Sequence, residues 1–212
     1  MFTPKVSVAI KSCHKHAARR AAQLATWLPQ LDCDFFFILG APRPATGAPE
    51  WTSEILATDA PDTFDSIAPK VECACRYALD SNVANLFLCD DDTYAAARRL
   101  LKSGYRKHDY IGFVRPYGDV ANGNVPYIQG SAMWLSEAAM TRIVLSGEMR
   151  SKIIDDGAIG RALYGKLAYT HDARYWPGPH REKVPAANND IITTHKCDAK
   201  QMLAVHEMAK QL

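Results

Sequence analysis

No run in this 212-residue chain approaches the ~20 consecutive apolar residues a membrane span needs, so no transmembrane helix is expected. The first residues, Met1-Phe2-Thr3-Pro4-Lys5, lead almost directly into a strand, and a soluble chain without an export signal is expected. Charge of one sign is also scarce. There are 25 Lys and Arg against 23 Asp and Glu, mixed along the chain, and a formal net charge of +2 lacks the footprint of nucleic-acid or membrane-surface binding. Six cysteines are present (Cys13, Cys33, Cys73, Cys75, Cys89, Cys197) but no CxxC pair, which points to reduced thiols in a cytosolic compartment. Internal repeats and low-complexity tracts are absent.

What is present is a hydrophobic fraction of 48%, ample for a real core, with no compositional break that forces a division of the chain. Residues 6–10 alternate as a strand, and residues 14–28 follow with Ala17, Ala21, Leu24 and Leu28 at helical spacing until Pro29. Residues 33–39 are apolar enough for a strand buried on both faces, and 40–50 read as a Pro- and Gly-rich loop. A helix over 64–79, with Ile67, Val71 and Ala74 on one face, delivers the chain to a strand at 83–88. Further on, a helix from Thr93, short strands at 110–114 and 127–129, and helices at 137–145 and 156–164 are predicted. Residues 169–189 read as irregular, 191–194 as a last strand reaching His195, and 198–211 as a closing helix. Alternating strands and helices in the first half argue for an α/β sheet with a nucleotide-type crevice at its strand ends.

The most informative stretch is Leu86-Phe87-Leu88-Cys89-Asp90-Asp91-Asp92-Thr93, an apolar strand ending in three carboxylates. Side chains two apart on an extended chain project the same way, so Asp90 and Asp92 can face one divalent cation while Asp91 points elsewhere. Hard oxygen ligands suit magnesium, manganese or calcium. The competing reading is an acidic cap on the helix predicted from Thr93.

Five blocks resemble, in order, the β-1,3-galactosyltransferase and Fringe family of glycosyltransferases, which have the GT-A fold. Lys11-Ser12 with Arg19-Arg20-Ala21-Ala22 and Thr26-Trp27 is similar to that family's opening strand and RR…TW helix. DTFDSIAPK (62–70) resembles its D-x-Y-x-N-L-x-x-K helix, with Phe64 in place of Tyr, and LFLCDDDT (86–93) resembles its DDD block. Tyr127 to Ser136 is similar to Y-x-x-G-x-G-Y-x-L-S, and Ile154 to Gly160 to E/D-D-V-x-x-G. The family's membrane anchor, stem and disulfides have no counterpart here, and a second glycine near Ala132 is missing. A compact enzyme of a bacterium, phage or large DNA virus acting in cytoplasm, or one domain of a longer protein, fits these differences.

The resemblance implies a single GT-A-like α/β domain with a mixed central sheet flanked by helices, residues 1–104 binding nucleotide sugar and 105–212 binding acceptor. It implies a divalent ion, manganese or magnesium, bridging the phosphates of a UDP-sugar donor, and transfer of a hexose to a hydroxyl of a glycan or glycoprotein. Asp92 is then the direct metal ligand, Asp90 contacts ribose or a metal-bound water, and Asp91 orients either. His195 is the candidate third metal ligand, ahead of His171 and His180, while His206 is dispensable. Asp156 is the candidate general base of an inverting transfer; capping of the following helix is the alternative role for Asp155-Asp156. Gly130 and Ser131 bring backbone close to sugar or phosphate, unless they form a simple turn. Lys11, Arg20 and Lys70 are candidate donor or fold contacts. Trp27 reads as core, and Tyr175-Trp176 as either an acceptor-sugar platform or a loop anchor. Two rival functions stand beside this one. A phosphohydrolase of the haloacid dehalogenase type has DxDxT/V after its strand, whereas here Thr93 follows Asp92 at once, mid-chain. A silent sugar-nucleotide-binding module keeps the pocket without the base.

Overall fold

Strand β1 (Lys5–Lys11) carries alternate side chains into two cores: Val6, Val8 and Ile10 pack on one side of the sheet and Ala9 on the other. A strand apolar on both faces belongs in the middle of a layered α/β structure. The computed structural model describes residues 4–41, 54–116, 124–151 and 153–210. After β1 come helix α1 (Ala17–Ala25), strands β2 (Asp34–Ala41) and β3 (Ile55–Pro61), helix α2 (Ile67–Asp80) and strand β4 (Val83–Asp90). Then follow β5 (Tyr94–Ala95), α3 (Ala97–Leu101), β6 (Tyr110–Arg115), β7 (Tyr127–Ser136), α4 (Glu137–Ser146) and α5 (Asp155–Leu163). The chain closes with β8 (Tyr169–His171), β9 (Tyr175–Pro179), β10 (Thr193–His195) and α6 (Ala199–Ala209).

The main sheet has the order β3-β2-β1-β4-β7-β6-β8. Strands β1 to β4 are mutually parallel, β7 runs antiparallel to both β4 and β6, and β8 is parallel to β6. One face packs through Leu86, Leu88, Met133 and Leu135 onto α2, α4 and α5. The other packs through Phe37, Phe87 and Trp134 onto α1, α6 and Tyr175 of β9. A second sheet, β5-β10-β9, lies on this side.

Several elements differ from the sequence expectation. The helix expected from Thr93 is displaced: Tyr94 and Ala95 are buried and pair with β10, and α3 starts only at Ala97. Its N-cap is Ala96, so the acidic triplet caps no helix; pairing with a distant strand overrides the local helical tendency of the alanines. Strand β3 was not anticipated, and β7 extends ten residues where a three-residue piece was expected. Gly130 and Ser131 therefore lie inside a central strand and not in a turn. The stretch expected to be irregular contains β8 and β9, short strands whose pairing partners lie far away in sequence. Gly40 and Ala41 belong to β2, and the rest of the expected 40–50 loop lies outside the described residues. Asp198 is a cap and not part of α6: its carboxylate accepts from Gln201 N–H at 2.8 Å, with Gln201 answering Asp198 N–H.

Helix α5 reaches the sheet at a glycine. A Cβ on Gly160 would lie 2.6 Å from Tyr127 Cβ and 3.3 Å from Pro126 O. In an exposed helix interior Gly→Ala gains about 1 kcal/mol. Here the sign reverses: Gly160→Ala is expected to lose about 1–3 kcal/mol through overpacking, read as a lower urea midpoint at unchanged m-value.

Candidate functional site

The chain lays down β1, β2 and β3 outward, then returns to place β4 on the other side of β1. Open α/β sheets bind ligands beyond the carboxyl ends of the strands at such a reversal. The register sets Lys11 beside Asp90 at this point, and Asp91 N–H donates to Lys11 O at 3.1 Å. Past β4 the chain turns, Thr93 N–H donating to Asp90 O at 3.1 Å, and the three carboxylates separate toward different partners.

Asp91, 4% exposed, points back into the protein. Ser12 Oγ donates to its Oδ2 at 2.7 Å, His16 Nδ1 lies 2.8 Å from the same oxygen, and Arg19 donates to Oδ1 at 2.9 Å. It ties the acidic turn to the segment between β1 and α1.

Asp90 and Asp92 face His195. Nε2 of His195 is 2.8 Å from Asp92 Oδ1 and 3.5 Å from Asp90 Oδ2. One donor atom from each of the three residues lies within 4.8 Å of the others. The imidazole is delivered by the small sheet: β10 pairs Thr194 with Tyr94, immediately after the acidic turn, so His195 emerges beside Asp92. Lys196 then takes a left-handed φ of 58°, and Cys197 N–H returns to Asp92 O at 2.9 Å. His195 Nδ1 donates to Pro177 O at 3.2 Å, which leaves Nε2 toward the carboxylates. Burial lowers the His195 pKa, but hydrogen bonds and charge from Asp90 and Asp92 override it and raise it to about 9. Burial likewise pushes Asp90 up, and Lys11 and His195 prevail, holding it at about 2. Two carboxylate oxygens and an oriented imidazole are a donor set that can hold a divalent cation, the metal displacing the proton on Nε2.

Behind this trio lies a second acidic pair. Lys11 Nζ is 2.9 Å from Asp90 Oδ1 and 2.5 Å from Asp155 Oδ2. Burial lowers the Lys11 pKa, yet the two carboxylates raise it above the usual lysine value, so it stays an ammonium. Asp156 accepts Gly130 N–H at 3.1 Å on Oδ2 and Gly157 N–H at 2.8 Å on Oδ1. Burial and the neighbouring Asp155 charge push its carboxyl above the ordinary aspartate range.

A cavity of about 400 Å³ extends from the acidic turn across the end of β1 to the start of α2. Lys11 and Lys70 line it together with Asp90, Asp91, Asp92 and His195; Arg20, Gly130, Ser131 and Asp156 do not. Lys70 donates to Ser12 O at 3.0 Å and to Asp62 Oδ1 at 3.1 Å, while Arg20 holds Ser12 Oγ and Cys13 O. Ser131 accepts Thr93 Oγ1 on its carbonyl at 2.8 Å. Phe64, 71% exposed, also lines the cavity.

The remaining candidates lie elsewhere. Trp27 is core, and Tyr175 is buried with its hydroxyl on Ser103 Oγ at 2.8 Å, which corrects any platform role for that residue. Trp176 is half-buried with Lys183 Nζ 4.3 Å from its ring centre. His171 accepts Val114 N–H, and His206 meets Tyr94 Oη at 3.1 Å. Sequence reasoning missed Ser12, His16 and Arg19 as Asp91 partners, Asp62 as the anchor of Lys70, and Asp155 as the partner of Lys11. Their signal was position: Ser12 directly follows a strand end, and His16 and Arg19 are one helical turn apart facing it.

The mixed seven-stranded sheet with helices on both faces is the architecture of GT-A glycosyltransferases. It is similar to a glycosyltransferase involved in glycosylation of the major capsid of PBCV-1, with a TM-score of 0.56 and 10% identity over 96% of this chain and 100% of that one. It is also similar to the galactosyltransferase LgtC, solved with donor and acceptor sugar analogues, with a TM-score of 0.53 and 11% identity over 97% and 96% of the two chains. No protein-family model and no curated protein sequence matches the chain. The likeness thus extends to the fold, and the specific likeness to the Fringe group is not shown.

The different surroundings of the carboxylates separate scaffold from ligand. Asp91→Ala is expected to cost about 2–3 kcal/mol, because Arg19, His16 and Ser12 lose a shared buried partner. Asp92→Ala is expected to lower the urea midpoint less than Asp91→Ala, because its partner His195 keeps Asp90 and Asp92 is the more exposed of the two.

Proposed function

We propose that this chain is a metal-dependent glycosyltransferase that moves a hexose from a UDP-sugar to a hydroxyl of a glycan or glycoprotein acceptor. The observation that carries the reading is the convergence of Asp90, Asp92 and His195 on one edge of a cavity at the strand reversal of a GT-A sheet. A divalent ion bound there, manganese in this reading, supplies the positive charge that stabilises a leaving diphosphate. Asp92 and His195 hold it directly, Asp90 offers the oxygen that Lys11 does not occupy, and Asp91 keeps the turn in place. Lys11 and Lys70 wall the donor cavity, Arg20 fixes the chain at Ser12 and Cys13, and Gly130 and Ser131 carry the strand past the site. Residues 1–104 supply most donor contacts and 105–212 the acceptor side, with His195 crossing between them.

Asp156 is the base in this proposal, taking the proton of the acceptor hydroxyl as the anomeric carbon is attacked from the opposite face. Its raised pKa suits that task. Both oxygens accept a backbone N–H, and each keeps a lone pair for a further donor. All six cysteines are free thiols, which supports a reducing cytoplasmic site of action. No helix among the described residues is long and apolar enough to cross a membrane. No observation among them favours a phosphohydrolase or a silent binding module.

Calorimetric titration of UDP and a UDP-sugar panel, with and without manganese, tests the donor assignment. Manganese-dependent binding that disappears in Asp92→Ala is expected; no uridine-nucleotide binding in either condition overturns the assignment. Asp156→Asn is expected to lower transfer about 100-fold or more with donor binding intact. Normal transfer in that variant, or retention of the donor's anomeric configuration in the product, excludes Asp156 as base of an inverting reaction.

A further inference from the structure

Lys11 is shared between two parts of the site. Its ammonium meets Asp90 Oδ1 at 2.9 Å and Asp155 Oδ2 at 2.5 Å. A Cβ on Gly130 would come within 2.9 Å of Nζ, so the bare backbone of β7 leaves room for this cation. The other oxygen of Asp90, Oδ2, faces His195 Nε2 at 3.5 Å. Asp90 is thereby divided, one oxygen to the ammonium and one toward the Asp92–His195 side.

We infer that Lys11 is a positioning residue that restricts Asp90 to a single metal-facing oxygen and keeps the site's hold on a divalent cation weak. Asp155 moderates this effect by drawing the ammonium toward α5. The inference rests on the metal-dependent reading above. Two cations on one carboxylate repel each other, and that repulsion acts strongly over a few ångströms even in a screened site. A purely structural Lys11, pinning β1, β4 and α5 together, has the opposite consequence: its loss would loosen the acidic turn and weaken metal binding.

The test is a titration of the full chain with manganese chloride, alone and with UDP, free Mn²⁺ being followed by electron paramagnetic resonance. Lys11→Met is expected to bind Mn²⁺ about tenfold tighter or more, since a positive charge leaves and Asp90 gains a second free oxygen. Asp155→Asn is expected to bind about threefold or more weaker, because Lys11 then has Asp90 as its one anionic partner. Equal or weaker binding by a folded Lys11→Met overturns the inference. So does unchanged or tighter binding by Asp155→Asn, a near-isosteric change that decides the matter alone if circular dichroism shows Lys11→Met unfolded. A wild-type chain that takes up no Mn²⁺ overturns the metal reading and this inference together, whereas wild-type uptake with unmoved variants overturns the inference alone.

Discussion

Asp90, Asp91, Asp92, Asp155 and Asp156 crowd together where β1 and β4 end, and the fold accommodates them by giving each a separate answer. Like charges at this range raise one another's pKa or drive the chain apart unless countered. Lys11 stands between Asp90 and Asp155, Arg19 and His16 meet Asp91, His195 meets Asp92, and two backbone N–H groups hold Asp156. The strand reversal is what makes this possible, because it sets Lys11 level with Asp90 in the sheet.

The second constraint is the small sheet. Its strands are two to five residues long and have little stability of their own. Buried Tyr94 and Tyr175 pin it to the core beneath α6, and through it the last third of the chain returns an imidazole to carboxylates about a hundred residues earlier. A site built this way draws most of its cavity from one part of the chain and a candidate metal ligand from another.

Much of this was legible from residue order. The apolar run before Asp90 announced a central strand, and it is one; Asp90 and Asp92 do face a common point, but across the turn that follows β4 and not along an extended chain. His195 was found as a histidine leaving a strand just before the closing helix. The reading failed where local pattern and long-range pairing disagree. Tyr94-Ala95-Ala96-Ala97 looks helical, yet Tyr94 and Ala95 pair with β10, because burying Tyr94 against α6 outweighs the propensity of three alanines. Strands β3, β8 and β9 carry Thr, Pro or charged neighbours and no clear alternation; their partners define them. Gly130 read either as backbone brought close to sugar or phosphate or as a turn; it lies within β7, where a Cβ would come within 2.9 Å of Lys11 Nζ.

By itself the sequence determined the layered α/β character and the position of the acidic strand end. These follow from hydrophobic periodicity and residue order, which are properties of neighbours. Only the tertiary structure decided that Asp91 is scaffold, that Lys11 joins Asp90 to Asp155, and that one cavity is lined by both the acidic turn and Phe64 but not by Asp156. Those outcomes depend on which strands become adjacent and on how buried charges find partners, and both are settled by packing between segments far apart in the chain.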